Sequence, residues 1–193
     1  MDIRPAEIRF TILVPNWNGE PFLRRGLGSL LLAARAAGGD GEILVVDDAS
    51  QDGGPALIEA EFPAVRLIRR AENGGFGRAV NQGVAAARGE IALLVNNDVI
   101  VREDFAARLL EGMADPDVFA VSAKTIDWDR GEPNHVAMHA VWREGLLAED
   151  FTAPEERTEA SYAQGGACAV RRSEFLAMGG FAIGTTEFAS MSL

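Results

Sequence analysis

The sequence predicts an α/β protein with a mainly parallel, Rossmann-like sheet flanked by helices. Short apolar runs alternate with segments of helical apolar spacing from residue 9 to about residue 123. The apolar runs are nearly continuous, which is typical of strands buried on both faces of a sheet. Strict strand–helix alternation indicates parallel strands joined by right-handed helical connections.

Each element has its own signal. The first helix ends at Gly38-Gly39, and Pro55 suits the first turn of the second. A glycine pair precedes the third helix, and acidic residues begin the fourth, where they favour the helix dipole. The predicted strands are 9–15, 42–48, 64–70, 90–98 and 117–124, and the predicted helices are 20–37, 54–62, 75–89 and 103–113.

After residue 124 the alternation stops, and an irregular lobe is expected before a strand at 167–170 and a short helix. We therefore divide the chain into an α/β region, residues 1–124, and a lobe, residues 125–193, as two parts of one domain. A chain of 193 residues is long enough to bury a substantial core.

Composition narrows the function classes. The net charge of -11 argues against nucleic-acid binding, which needs a basic surface. The single cysteine, Cys168, excludes an internal disulfide and a cysteine-built zinc site. No signal-peptide core or membrane-spanning stretch is found, so a cytoplasmic location is expected, with peripheral attachment at the inner face of a membrane left open.

Four of the predicted strands end in polar residues or are directly followed by them. These segments are Asn16-Trp17-Asn18, Asp47-Asp48, Arg69-Arg70 and Asn96-Asn97-Asp98. In open parallel sheets, ligands bind beyond the carboxyl ends of the strands. Asp98 is therefore a candidate ligand for Mg²⁺ or Mn²⁺ held against a phosphate, with Asn97 beside it. Asp48 is a candidate acceptor for a base N–H or a ribose hydroxyl.

The loop from Asn73 to Gly77 carries three glycines at a helix start, which favours close approach of backbone N–H groups to a ligand. Arg78 is positioned to offset phosphate charge. The loop does not follow the first strand, so it fails the context test for a dinucleotide-binding fingerprint.

Other interpretations remain open for these residues. A strand-end aspartate often serves as a cap, and Asp47-Asp48 suits a simple turn. His135 and His139 are four residues apart but lack the glutamate of a zinc-peptidase helix, so a metal role is disfavoured. Trp128 and Trp142 are either lobe core or a stacking platform for a sugar.

Taken together, these motifs resemble family 2 glycosyltransferases of the A-type (GT-A) fold. Four stretches match in order: "ILVPNWNGEPFLRRGLGSLL", "EILVVDDASQDGG", "NGGFGRAVNQGVAAARGEIALLVNNDV" and "GGACAVRRSEFLAMGGF". The resemblance implies transfer of a sugar from a nucleotide-diphosphate donor to a hydroxyl acceptor, with inversion and a divalent cation. It makes 1–124 the nucleotide-sugar-binding region and 125–193 an acceptor-side lobe, incomplete at its C-terminus.

The resemblance also implies roles for residues. Asp98 would ligate the cation, and Gly165, Gly166 and Ala167 would form a wall near the sugar and acceptor. The donor would be UDP-, GDP- or dTDP-linked, and the Asn-Asn-Asp variant favours rhamnosyltransferase-like members using dTDP-rhamnose. The acceptor would be a saccharide or lipid-linked saccharide of the cell envelope. The expected nucleotide-binding residues are Pro15, Asn16, Asn18, Glu20, Asp47, Asp48, Asn73, Gly74, Gly75, Arg78 and Asn97.

One departure stands out. Family members carry a Glu-Asp pair after Gly-Gly-Phe, and one of its carboxylates is the general base. Here Glu187 is the one carboxylate after Phe181, so it is the candidate base. A nucleotide-sugar-binding module without transfer is therefore the first alternative. A receiver-like domain with Asp98 as phosphoacceptor is a remote one, suggested by "ILVVDD".

Overall fold

The computed structural model describes residues 8–133, 137–144, 146–152 and 158–183. Its centre is a six-stranded sheet in the order β3-β2-β1-β4-β8-β5, and β6 and β7 form a separate hairpin. The strands are β1 Phe10–Asn16, β2 Gly41–Asp47, β3 Val65–Arg69, β4 Ile91–Val95, β5 Ala120–Ser122, β6 Ala137–Arg143, β7 Leu146–Thr152 and β8 Ala167–Arg171. The helices are α1 Glu20–Ala36, α2 Gly54–Glu61, α3 Phe76–Ala86, α4 Phe105–Gly112 and α5 Arg172–Ala177.

Helices cover both faces of the sheet, as the continuous apolar strands predict. Ile12 and Val14 of β1 pack in the cluster that includes α1, α2 and α4 residues. Leu13, between them, packs in the opposite cluster with residues of α3 and α5. This alternation buries all seven residues of β1. None of the described helices combines the length and apolar character needed to cross a bilayer.

The sheet is mainly parallel, with one antiparallel strand. β1 pairs in parallel with β2 and β4, and β2 pairs in parallel with β3. β8 lies antiparallel to both β4 and β5, so it separates two strands that are consecutive in sequence within the predicted parallel region. The lobe segment thus supplies a strand to the central sheet, and the predicted α/β fold class is confirmed.

The expectation of an irregular lobe after residue 124 is wrong at β6 and β7. These strands pair along their full length, from Ala137 with Thr152 to Arg143 with Leu146. Trp142 and Leu146 near the turn are 76% and 73% exposed. Sequence patterns identify a half-buried strand by alternating apolar and polar residues, and apolar residues as exposed as Trp142 and Leu146 obscure that pattern.

Two adjacent arginines fix helix ends on opposite faces of the sheet. The Arg171 guanidinium donates to the carbonyls of Met113, Asp115 and Val118, just after α4. Arg172 donates to the carbonyls of Val84 and Ala85 in the last turn of α3. Cations near helix C-termini satisfy free carbonyls and complement the helix dipole. β8 thereby anchors both helix layers.

Candidate functional site

The polar ends of β1, β2 and β4 meet in one hydrogen-bonded network. Asn16 Nδ2 donates to Asp47 Oδ1 at 2.8 Å and to Ser50 Oγ at 3.3 Å. Asn97 Nδ2 donates to Asn16 Oδ1 at 2.9 Å. Asn16 and Asp47 are buried. These residues lie close together, as expected from their positions at the carboxyl ends of the strands. Their hydrogen bonds connect the strand ends to one another.

The loops after β1 and β2 are joined by reciprocal side-chain contacts. The Asn18 N–H donates to Ser50 Oγ at 2.8 Å, and the Gln51 N–H donates to Asn18 Oδ1 at 2.9 Å. The Gly53 N–H donates to Glu20 Oε2 at 2.9 Å. Asn18 and Glu20, both predicted to bind nucleotide, therefore also brace the loop that follows β2.

Gly19 allows the loop after β1 to pack directly against the side chains of Asn16 and Asn97. A Cβ at this position would collide with the side chains of Asn97 and Asn16. Pro15 and Asn16 precede it as the last residues of β1. The small residue between Asn18 and Glu20 is thus required by packing against the end of β4.

Asp48 organises the glycine loop. Its carboxylate accepts the Gly74 N–H at 3.0 Å and the Gly75 N–H at 2.7 Å. Arg70 Nε lies 2.7 Å from Asp48 Oδ1, and the two side chains are 14% and 4% exposed. Asn73 Oδ1 also accepts the Gly75 N–H, at 3.1 Å. The loop amides expected to face a ligand donate to Asp48.

Gly75 adopts a backbone conformation that other residues avoid. Its φ of 81° and ψ of 169° precede the first residue of α3. Arg78, in the first turn of the helix, is exposed and makes no ion pair with any described residue. The side chain of Arg78 packs by its Cδ against the Gly74 position. Arg78 thus lies beside the loop, and its role toward a phosphate stays a prediction.

Asp98 lies exposed beyond the end of β4, and its carboxylate makes no hydrogen bond or ion pair with any described residue. Nearby in sequence, Asn96 Oδ1 is buried without a hydrogen-bond partner. No cluster of three metal-binding side chains occurs in the described ranges. One carboxylate, amide oxygens and phosphate oxygens form the donor set that Mg²⁺ uses at phosphate sites. The residues present fit such a cation, completed by the ligand's phosphates.

The predicted sugar and acceptor wall adjoins this strand end. Ala167 pairs with Val95 in the sheet, and the Asn96 N–H donates to the Gly166 carbonyl at 2.9 Å. A Cβ on Gly166 would lie 3.1 Å from Asn96 Nδ2. The antiparallel placement of β8 thus brings Gly165 to Ala167 beside the candidate cation site.

Several predicted residues lie elsewhere or outside the described part. Glu187 and His135 are outside the described residues. Trp128 and Trp142 are 73% and 76% exposed, so neither forms lobe core. The Arg25 guanidinium lies 5.0 Å from the ring centroid of Trp128, a cation–π contact. Burial raises the pKa of the Cys168 thiol to about 12, which excludes it as a nucleophile at neutral pH.

Sequence reasoning missed Arg70, Ser50 and Asp52 as site residues. Ser50 and Asp52 fall in the matched motif, and Asp52 Oδ2 accepts the Glu20 N–H at 2.9 Å. Arg70 belongs to the polar segment Arg69-Arg70 at the end of the third predicted strand. The signal that locates Arg70 is the complementary buried charge of Asp48, which becomes visible only when β2 and β3 are neighbours.

The family model described as glycosyl transferase family 2 matches residues 11–177. Among curated relatives, the succinoglycan biosynthesis protein ExoO of Rhizobium meliloti is 38% identical over 102 residues, which are 52% of this chain and 28% of ExoO. The uncharacterized glycosyltransferase EpsJ of Bacillus subtilis is 38% identical over 104 residues, 52% of this chain and 29% of EpsJ. The chain therefore spans less than a third of the length of these relatives.

Solved structures share the fold. The mannosyltransferase PcManGT of Pyrobaculum calidifontis, in complex with GDP-Man and Mn²⁺, superposes with a TM-score of 0.67 at 23% identity, covering 91% of this chain and 48% of that one. TarS 1–349 of S. aureus, in complex with UDP-GlcNAc, gives 0.57 at 23% identity, covering 66% and 38%. The family match over residues 11–177 argues against the receiver-like alternative. The chain belongs to glycosyl transferase family 2.

Proposed function

We propose that the protein transfers a sugar from a nucleotide-diphosphate donor to a hydroxyl acceptor, with inversion at the anomeric carbon. The observation that carries this proposal is the exposed Asp98 carboxylate just beyond β4, which no described residue pairs with, in a chain of this family. A carboxylate in this position suits a cation bridging protein and diphosphate. The neighbouring structures with GDP-Man and Mn²⁺, and with UDP-GlcNAc, support a nucleotide sugar as donor.

The donor site would be built from the network at the strand ends. Asn16 and Asp47 hold β1, β2 and β4 together, and Asp48 holds the glycine loop in place. Arg78 would supply positive charge to the diphosphate, because its guanidinium is exposed beside that loop. UDP-, GDP- and dTDP-linked sugars, including dTDP-rhamnose, are the candidate donors.

In the proposed reaction the acceptor oxygen attacks the anomeric carbon, and the bond between that carbon and the diphosphate oxygen breaks. The bonding pair leaves with the nucleoside diphosphate, and the acceptor proton passes to a general base. Glu187 is the candidate base from the sequence. A divalent cation held at Asp98 would supply Lewis-acid stabilisation to the departing diphosphate.

The acceptor we propose is a saccharide or a lipid-linked saccharide. The printed name of one relative, a succinoglycan biosynthesis protein, supports a role in polysaccharide biosynthesis. Peripheral association with a membrane would follow if the acceptor is lipid-linked. Gly165 to Ala167 would then face both substrates, because they adjoin the end of β4.

Donor binding is tested by thermal shift with UDP, GDP and dTDP and their sugars, with and without Mn²⁺. A ligand at 100 times its Kd stabilises the native state by about 2.7 kcal/mol, or roughly 5–10 °C for a chain of this size. Asp98→Ala should remove the part of this shift that depends on Mn²⁺. Glu111→Ala, an exposed carboxylate on α4, is the matched control and should leave it intact.

Two results would contradict the proposal. An Asp98→Ala shift identical to wild type with and without Mn²⁺ would refute the cation assignment. Failure of every nucleotide and nucleotide sugar to stabilise the wild-type chain would refute donor binding itself.

A second candidate function is a nucleotide-sugar-binding module that performs no transfer. It is favoured by residues 182–187, which follow Gly-Gly-Phe without the Glu-Asp pair that the family resemblance implies. Incubation with the donor found by thermal shift, and a panel of saccharide acceptors, distinguishes the two functions. Release of nucleoside diphosphate with glycosylated product supports the transferase, whereas binding without release supports the module.

A further inference from the structure

Asn81 of α3 clamps the backbone of Phe181, a residue 100 positions away in sequence. Asn81 Nδ2 donates to the Phe181 carbonyl at 2.9 Å, and the Phe181 N–H donates to Asn81 Oδ1 at 2.9 Å. A side-chain amide can donate and accept at once, so it imitates one rung of a β-ladder. The clamp fixes the backbone of one residue from both of its hydrogen-bonding groups.

The glycine pair before Phe181 makes this clamp possible. Gly179 and Gly180 have φ values of 84° and 70°, and they turn the chain back after α5. A Cβ on Gly180 would lie 2.5 Å from Asn81 Oδ1. The Gly-Gly-Phe sequence therefore serves to deliver Phe181 to the side chain of Asn81.

The clamped Phe181 ring packs between two parts of the candidate site. Its centroid lies 5.9 Å from that of Phe76 and 5.5 Å from that of Phe175, edge to face in the second pair. A Cβ on Gly165 would lie 3.7 Å from Phe181 Cζ and 3.8 Å from the Phe76 ring. Phe181 thus touches the glycine-loop side through Phe76 and the proposed sugar wall at Gly165.

Phe76 is joined directly to the loop that Asp48 holds. It follows Gly75, whose N–H donates to Asp48, and it begins α3, the helix that also carries Asn81. Both ends of the loop–helix junction are therefore fixed, one by Asp48 and the other through Phe181. The Phe76 and Phe181 rings lie between the glycine loop and Gly165, so they set the distance between these two segments.

We propose that Asn81 and Phe181 are positioning residues for the sugar of the donor. The Asn81 amide pins Phe181, and the Phe181 ring sets the distance between the glycine loop and the Gly165 wall, so that the transferred sugar meets a preformed surface. The inference rests on the proposed function, because it takes the bound ligand to be a nucleotide sugar. Asp48 holds the glycine loop by separate hydrogen bonds to Gly74 and Gly75, so the nucleoside diphosphate should depend on the clamp much less than the sugar does.

The test compares affinities for a nucleoside diphosphate and for its sugar, by calorimetry with Mn²⁺ present. The probe pairs are UDP with UDP-GlcNAc and GDP with GDP-mannose. Asn81→Ala and Phe181→Ala should each raise the Kd of the nucleotide sugar roughly five- to tenfold, the size of one aromatic contact. The Kd of the nucleoside diphosphate should change by less than about twofold on the same reasoning.

Leu109→Ala is the matched control, since Leu109 of α4 is buried in the other hydrophobic cluster and not in the one against which Phe181 packs. It should lower stability while leaving both affinities unchanged. The double variant Asn81→Ala/Phe181→Ala should bind the nucleotide sugar no more weakly than either single variant, because both changes remove one device. Phe181→Leu, which keeps an apolar side chain without the ring, provides a variant that folds if the alanine variants do not.

The outcomes separate the two proposals. If the wild-type chain binds neither these two pairs nor the third pair, dTDP with dTDP-rhamnose, the proposed function and this inference both fail. If it binds them, but the folded variants change neither Kd or change both equally, the positioning role is overturned and donor binding stands. Additive losses in the double variant would also overturn it, because Asn81 would then act independently of Phe181.

Discussion

Replacing Asp48 with asparagine removes the charge that holds Arg70 and the glycine loop. Asp48 and Arg70 are 4% and 14% exposed, so the pair belongs to the buried class and not to the surface class of ion pairs. Removing one partner of a buried pair costs about 3–5 kcal/mol, against about 0–1 kcal/mol for an exposed pair. The amide also turns one end of the side chain into a donor that faces the N–H groups of Gly74 and Gly75. We therefore expect Asp48→Asn to lower the free energy of unfolding by about 3–5 kcal/mol.

Urea denaturation measures this loss through the midpoint, provided that the m-value is unchanged. Arg70→Met breaks the same ion pair by removing the arginine. The double variant Asp48→Asn/Arg70→Met should therefore lose clearly less free energy of unfolding than the sum of the losses in the two single variants. Glu61→Gln, which breaks the fully exposed pair with Arg24, is the matched control and should have a far smaller effect. Nucleotide affinity should fall in Asp48→Asn to the same extent with and without Mn²⁺, because the loop and not the cation is disturbed. A loss below about 1 kcal/mol, or strict additivity with Arg70→Met, would refute the buried-pair reasoning.

Three further changes test other parts of the structure. Arg171→Met removes the guanidinium donor from the carbonyls of Met113 and Val118, whereas the Asp115 carbonyl still accepts the Val118 N–H. The change should lower the free energy of unfolding by about 2–4 kcal/mol in urea denaturation; a loss no larger than that of Arg172→Met would contradict this ranking. Ala49 has a φ of 59°, so Ala49→Gly should relieve left-handed strain and raise the free energy of unfolding by about 0.5–1 kcal/mol, and a lower Tm would count against this. Burial raises the pKa of the Cys168 thiol from 9.0 to about 12, so the unfolded chain releases this proton first and stability should decline as pH rises above 9. Cys168→Ala should show a weaker decline over that range, and an identical pH profile would exclude the thiol as its cause.

The parallel half of the fold was predictable because its signals are local. β1, β2 and β4 are buried in continuous runs, and each is bounded by polar residues or glycine. The position of β8 was not predictable in the same way. Its pairing partners, β4 and β5, lie far away in sequence, and an apolar run such as Ala167 to Val170 does not reveal which neighbours it will have.

The candidate site was predictable in location but less so in detail. Strand order places Asn16, Asp47 and Asn97 at one edge, and the structure brings them into one network. Their burial was not evident from the sequence, since an Asp at a strand end looks the same whether it faces solvent or a neighbouring loop. The Asp48–Arg70 pair depends on the adjacency of β2 and β3, which no local pattern encodes.

The position of β8 also constrains the order in which the chain can fold. Within the part of the chain that the structure describes, β5 pairs only with β8, and one edge of β4 also pairs with β8. During synthesis the ribosome must therefore add about 45 more residues after β5 before either edge is covered, as the spacing from Ser122 to Ala167 indicates. Uncovered strand edges invite pairing with other chains, and non-local closure slows folding. We infer that the late arrival of β8 is the step at which nascent chains of this protein are most exposed to aggregation.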